Sequence, residues 1–438
     1  MNKKNVAKIK EIVKAVKNQL NVEINDEPIK EVIKEIEKEV KKQGIKVEVF
    51  LGGSYAKSTF LGNDFDCDIF LRFDKQYPEN ELSDLSEKLI SKFKPKRIHG
   101  SRDYFNFDYK GISFEVVPVY LIKDPKEALN TTDVSPFHVI WFKEMKEKNP
   151  ELPNEIKVAK VFLKAQKLYG AESYIRGFSG HVVDILIAYY GSFTKLILAA
   201  TEWSFPVVID IENHYRGLNP IFFLNKDKIK NEFIVIDPII KERNAAAAIS
   251  KENVIKFIEV CKQFLENPSK DFFEIKFLDL GSAKQRIGNN PGIIFQVKPL
   301  DEKSKDVAGT KAFKSFEFLK ESLEKKEFKI LDCFFDWDKK NDVYFFFTFD
   351  NKKLSKKKII LGPPNEEIYA KNINDFKSKY KDKVFLKDNR FYAEIEREFT
   401  NPFDYVEELV KDKRFLQNIK DFKTYKINES LIKNEEGF

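Results

Sequence analysis

Residues Leu51 to Phe73 read LGGSYAKSTFLGNDFDCDIFLRF, and no other stretch constrains the chain as tightly. A glycine bend carrying a hydroxyl, Gly52-Gly53-Ser54, is followed twelve residues after Ser54 by Asp66-Cys67-Asp68. The second half of the run reads as a strand, and side chains two apart on a strand share a face. Asp66 and Asp68 then lie on one face and repel unless a cation sits between them. A divalent metal is the usual cation. The bend can bring backbone N–H groups and the Ser54 hydroxyl against phosphate, with Lys57 close behind. Gly-Gly-Ser alone is ordinary turn chemistry, and the P-loop spacing is absent. Two acids alone can equally be the wet face of an edge strand. Together, bend and acid pair are equipment for phosphoryl or nucleotidyl transfer.

The flanks supply the rest of a sheet. Asp26-Glu27-Pro28 opens a helix, Ile29, Val32, Ile33, Ile36 and Val40 follow at helical spacing, and Gly44 ends it. Ile45 to Phe50 alternates as a strand, and Leu82 to Phe93 reads as the next helix. Phe105 to Tyr109 and Ile112 to Tyr120 read as strands joined by a Lys110-Gly111 turn. The second of these strands carries a third acid, Glu115, among apolar neighbours. An acid there either faces solvent or serves a site.

A chain of 438 residues is too long for one core. We expect a mixed α/β head over residues 1–150, a mainly helical centre over 151–268 closed by Asn267-Pro268, and an α/β tail over 269–438. In the centre, 154–168 reads as a helix, 181–198 as one largely apolar helix, and 250–265 as another. In the tail, 311–325 reads as a helix and 331–337 and 343–349 as strands, giving a sheet with helices on one side. The 42% hydrophobic content excludes global disorder. Lys+Arg at 77 against Asp+Glu at 70 leaves a net +7, which permits a polyanionic partner without requiring one. Cys67, Cys261 and Cys333 form no CxxC pair, so neither a zinc site nor a disulfide framework is expected. That fits a reducing cytoplasm. MNKKNVAKIKEIV lacks an apolar signal core and no stretch is long enough to span a membrane, so no membrane partner is expected.

Further side chains with chemistry lie beyond the head. Lys157, Lys160, Lys164 and Lys167 recur on one helical face, an ordinary solvated stripe except that it ends at Tyr169-Gly170 beside Arg176-Gly-Phe-Ser-Gly180. A lysine there can hold a triphosphate and a tyrosine can bond it. His99, His138, His181 and His214 lack metal-ligand spacing and read as structural, with His138 set apart by the compact Ser135-Pro-Phe-His138 segment. Lys352, Lys353, Lys356, Lys357 and Lys358 form a basic run suited to salt-sensitive phosphate contacts, or to a solvated loop.

These segments resemble the archaeal, class I CCA-adding enzymes, tRNA nucleotidyltransferases of the polymerase β superfamily. Gly53-Ser54 with Asp66 and Asp68 marks the superfamily. Glu115-Val-Val-Pro118, Ser135-Pro-Phe-His138 with Trp141, Leu168-Tyr-Gly-Ala-Glu172, Arg176-Gly-Phe-Ser-Gly180 and Asp237-Pro to Arg243-Asn-Ala-Ala246 carry the family likeness across residues 50 to 270. The last third is similar mainly in length and in Gly362-Pro-Pro364.

The resemblance implies a fold class of α/β (α+β), multidomain, with a polymerase β-like nucleotidyltransferase head, a helical central region and a C-terminal tail that grips the outer half of tRNA. It implies that Asp66, Asp68 and Glu115 hold two Mg²⁺ ions. Gly53, Ser54, Lys57, Lys160 and Tyr169 would contact the triphosphate, His138 would lie near the nucleotide, and Arg243 would face the base of CTP or ATP. Lys57 stands where the family commonly has arginine, and Glu115 where aspartate is usual. The implied activity is addition of C, C and A to the tRNA 3′ end by a homodimer. A poly(A) polymerase or oligoadenylate synthetase using ATP alone, and an RNA-binding protein with a dead head, are the rival readings.

Overall fold

The computed structural model describes residues 3–22, 24–62, 65–302 and 304–432. It divides into two compact units, Met1–Lys276 and Phe277–Phe438. The first unit begins with α1 (Lys3–Leu20), α2 (Glu27–Gln43), β1 (Val47–Leu51), the single turn α3 (Gly53–Ala56), β2 (Asp66–Phe73) and α4 (Glu79–Ile90). There follow β3 (Lys96–Ile98), β4 (Tyr104–Tyr109), β5 (Ile112–Tyr120), α5 (Ser135–Lys148), α6 (Leu152–Ala165) and α7 (Gly180–Tyr190). The unit ends with α8 (Phe193–Ala200), β6 (Val207–Ile209), β7 (Phe233–Val235) and α9 (Lys251–Glu266).

The head is a five-stranded sheet in the order β1-β2-β5-β4-β3. β2 and β5 run parallel and the other neighbours antiparallel. Alternation sets the faces. Cys67, Ile69, Leu71 and Phe73 are each fully buried in a core shared with α2 and α4. Each such burial stabilises by about 1.5–3 kcal/mol, and a one-residue slip would drive Asp66 and Asp68 into that core instead. The apolar positions of β2 therefore hold its acids on the opposite face.

The central region has its own core, and its limits differ from those expected. Ile9, Ile12, Val13 and Val16 of α1 and Trp141 and Phe142 of α5 belong to it rather than to the head. The apolar face of α1 is covered by α6 and α9, which no local pattern could announce. Nor does Pro268 end the unit, because Phe272 and Phe273 pack onto Phe162 and Phe264. The single helix expected over 181–198 is two, α7 and α8, bent by 91°. Gly191 adopts φ +84 at the end of α7, and the Ser192 hydroxyl accepts from the Lys195 N–H to start α8. No single helix among the described residues is long and apolar enough to cross a membrane.

The second unit contains α10 (Leu280–Ile287), β8 (Gly292–Pro299), α11 (Lys305–Lys325), β9 (Ile330–Asp336) and β10 (Val343–Phe349). It continues with β11 (Lys357–Pro364), α12 (Ala370–Tyr380), β12 (Val384–Lys387), β13 (Arg390–Glu396), α13 (Pro402–Leu409), α14 (Lys413–Leu416) and β14 (Ile419–Ile427). Its sheets are β14-β8-β10-β9 and β11-β13-β12. Helices cover both faces of the larger sheet, not one. Phe345 and Phe347 face α11 and α13, whereas Phe346 and Ile294 face Ala283 and Ile287 of α10. Three consecutive phenylalanines on a strand demand cover on both sides.

Candidate active site

The parallel β2/β5 pair builds the acid cluster. Asp68 stands opposite Glu115 in register and Asp66 opposite Ser113. Neighbouring strands lie about 4.8 Å apart, so Asp66, Asp68 and Glu115 share one face of the sheet. The chain leaving β1 crosses that face closely. A side chain at Gly53, whose φ is +57, would place its Cβ 1.4 Å from Asp68 Oδ2. At Gly52 it would meet the Phe70 ring at 2.3 Å. The Gly52 N–H donates to the Asp68 carbonyl at 2.8 Å, tying the bend to the strand. Burial and then the charge of Asp66 push the Asp68 carboxyl up to about 6, and Lys57 draws it back. The hard oxygen donors of the cluster fit a divalent cation such as Mg²⁺.

Lys57 reaches away from the bend to a partner that no sequence motif marks. Its ammonium lies 2.9 Å from Asp184 Oδ2, with side-chain exposures of 11% and 4%. Asp184 Oδ1 is buried with no hydrogen-bond partner among the described residues. Lys57 charge is felt at Asp68, Lys160 and His181, so these groups occupy one neighbourhood.

The lysine stripe on α6 is only partly a solvated face. Lys157 and Lys160 are buried, and Lys167 adopts φ +58 beyond the helix end. Lys160 donates to the Thr59 carbonyl at 2.9 Å and to its hydroxyl at 3.1 Å. Burial pushes its ammonium down to about 8, against the pull of Asp184. A Cβ on Gly180 would lie 3.1 Å from Tyr169 Oη and 3.9 Å from Lys160 Nζ, so lysine and tyrosine converge at the start of α7.

A second cluster gathers His138 and Arg243. Asp237, fully buried, accepts from His138 Nε2 at 3.0 Å, His181 Nε2 at 3.1 Å and Arg243 Nη1 at 2.8 Å. The N–H groups of Ile239 and Ile240 donate to its Oδ1 at 2.9 and 3.0 Å. Despite its burial, the bonds from His138 and His181 hold this carboxyl well below the usual range. Asp237 and the two imidazoles are close enough to share a metal ion. However, a carboxylate offers about four lone-pair sites, and donors from five residues already converge on this one. It is a saturated hydrogen-bond hub.

In the tail, Lys357 pairs with Glu394 and Lys358 with Glu327, each at 2.6 Å. Lys352 and Lys356 are exposed and Lys353 half-buried. Sequence reasoning missed Asp184, Asp237 as a hub, His181 and Thr59. Asp184 left a signal, as a lone acid in the apolar run HVVDILIAYY, and Asp237 lay in the family-like segment Asp237-Pro to Arg243 without showing that it is a hub.

Residues 154–274 match a family described as tRNA nucleotidyltransferase, second domain, and residues 301–429 one described as CCA-adding enzyme, C-terminal domain. A CCA-adding enzyme of Nanoarchaeum equitans is 34% identical over 81% of this chain and 85% of its own length. That of Methanocaldococcus jannaschii is 31% identical over 85% and 82%. Among solved structures, a Cid1 poly(U) polymerase superposes on 61% of this chain and 99% of its own, with a TM-score of 0.49 and 12% identity.

Proposed function

The chain belongs to the CCA-adding enzyme family, and on that premise we propose that it adds C, C and A to the 3′ end of tRNA. CTP and ATP are the donors, pyrophosphate is released, and no nucleic-acid template is used. The observation that carries this reading is the register of Asp68 with Glu115 across the parallel strands, with Asp66 on the same face.

In the proposed reaction the 3′ oxygen of the tRNA loses its proton and attacks the α-phosphorus. The bond to the β-phosphate oxygen breaks as the new phosphodiester forms. Asp66, Asp68 and Glu115 would hold two Mg²⁺ ions, which supply charge neutralisation at the attacking and leaving oxygens when bound. The bend at Gly53 and Ser54 lies beside Asp68 and offers polar groups to the triphosphate. Lys160 and Tyr169 approach from the central region, where Lys160 charge is already desolvated and therefore strong. Lys57 contributes its charge from its seat on Asp184. Arg243 and His138 face the nucleotide base from the hub. Lys352, Lys353 and Lys356 add sequence-blind contacts to tRNA phosphate.

The test is stepwise extension of tRNA lacking its CCA end. CTP alone should add two residues and stop, and CTP with ATP should add three. Extension with ATP alone into a tail would instead identify a poly(A) polymerase.

A further inference from the structure

The guanidinium of Arg243 is half anchored and half open. Nη1 binds Asp237 Oδ2 at 2.8 Å, while the side chain remains 46% exposed. An arginine carries five N–H donors in a rigid plane, so one bond to a fixed acceptor aims the remainder of the fork. Asp237 is such an acceptor. It is fully buried and clamped by the N–H groups of Ile239 and Ile240. His138 reaches it from α5 and His181 from α7. The direction of Arg243 is thereby referenced to two helices as well as to its own strand-following turn.

We propose that Asp237 is a positioning residue for Arg243, that His138 and His181 complete the device, and that it sets discrimination between CTP and ATP. This rests on the reading of Arg243 as the contact to the nucleotide base. An aimed donor fork distinguishes a pyrimidine from a purine, because their acceptor edges lie at different depths. A fork released from Asp237 samples many rotamers and loses that distinction. The imidazoles act as donors, since an ionised carboxylate only accepts. His181 Nδ1 is buried with no hydrogen-bond partner among the described residues, as expected for a neutral ring whose single proton is committed at Nε2.

The experiment measures kcat/KM for CTP and ATP, each on the tRNA end that accepts it, for Asp237→Asn, Arg243→Ala and the double variant. Thermal melting of each protein is followed in parallel. Loss of one hydrogen bond to a charged group corresponds to roughly tenfold to hundredfold. We expect Asp237→Asn to change the CTP-to-ATP ratio by about tenfold or more, and to have no further effect in the Arg243→Ala background. An equal fall for both nucleotides, or the same loss with and without Arg243, would overturn the proposal. Should Asp237→Asn fail to fold, His181→Gln and His181→Leu decide. Glutamine keeps a donor near the Nε2 position and should retain selectivity, whereas leucine should lose it. Identical behaviour of the two sinks the idea. If Arg243→Ala itself leaves both nucleotides unaffected, the base-contact reading of Arg243 fails instead, while C, C, A addition by the unaltered protein still stands.

Discussion

Asp68 and Asp237 are the same residue in opposite circumstances. Asp68 lies beside two other acids, with its carboxyl pushed up to about 6. Asp237 receives donors from five residues and is held well below the carboxylate range. The first site gathers three acids on one face of the sheet, a donor set that fits a divalent cation. The second is already satisfied and can only hold what it touches. Burial alone therefore does not reveal what an acid does. The count and sign of its partners does.

The largest expected effect tests the first half of that contrast. Asp66→Ala or Asp68→Ala should reduce nucleotide addition by about a thousandfold or more, the scale of losing metal and charge stabilisation. Binding of tRNA, followed by filter retention, should stay near that of the unaltered protein. Retained turnover in either variant would break the comparison at its root.

The next largest concerns Asp184, which lies between the two extremes. Asp184→Asn leaves the Lys57 ammonium buried without its counter-charge. Such breaks cost about 3–5 kcal/mol, read as a fall in the urea midpoint at unchanged slope. A midpoint that does not move would mean that Lys57 relaxes to water and that the pair holds nothing together.

A smaller effect is the pH response. Burial and the charge of Asp66 raise the Asp68 carboxyl to about 6 in the metal-free protein, so Mg²⁺ held there, as proposed, would displace a proton at lower pH. The Mg²⁺ concentration for half-maximal addition should fall as pH rises from about 5 to 7. The metal-free protein itself should lose stability over the same rise, because its folded state holds that proton more tightly than the unfolded chain does. Asp237 has the opposite sign. Its contribution is complete above the unfolded carboxyl value near 4 and is lost only as pH falls far below it. Chemical denaturation of the metal-free protein at several pH values checks both signs.

The smallest expected effect lies in the tail. Lys357 is already paired with Glu394 on an exposed sheet edge, where solvent screens the pair and its side-chain entropy offsets the attraction. Lys357→Ala should leave stability nearly unchanged. Replacing Lys352, Lys353 and Lys356 together should flatten the salt dependence of tRNA binding, with a slope change of roughly 2–3, while kcat for bound tRNA holds.

Much of the head was legible because its signals are local. Alternation in β2 and β5 stated which side chains share a face, and Gly52-Gly53 announced the bend. The packing reason for those glycines, the Asp68 carboxylate and the Phe70 ring, was not local. The lysine stripe was visible, but nothing in its period told that Lys160 would be buried against Thr59, 101 residues earlier. The tail strands were legible from their phenylalanines, yet the second covering helix was not, since helix period alone does not say which sheet face a helix meets.

By itself the sequence determined the strand faces, the acid pair, the glycine bend and the family to which these motifs belong. The strand faces, the acid pair and the bend follow from periodicities of two and 3.6 residues, which are properties of neighbouring residues, and the family follows from the resemblance of whole motifs. The tertiary structure alone decided that Lys57 rests on Asp184, that Lys160 is desolvated, and that His138, His181 and Arg243 meet on Asp237. Apart from Arg243 and Asp237, which are six positions apart, those contacts join residues dozens to more than a hundred positions apart. Their charges are set by burial and by partners that only the folded chain brings within bonding distance.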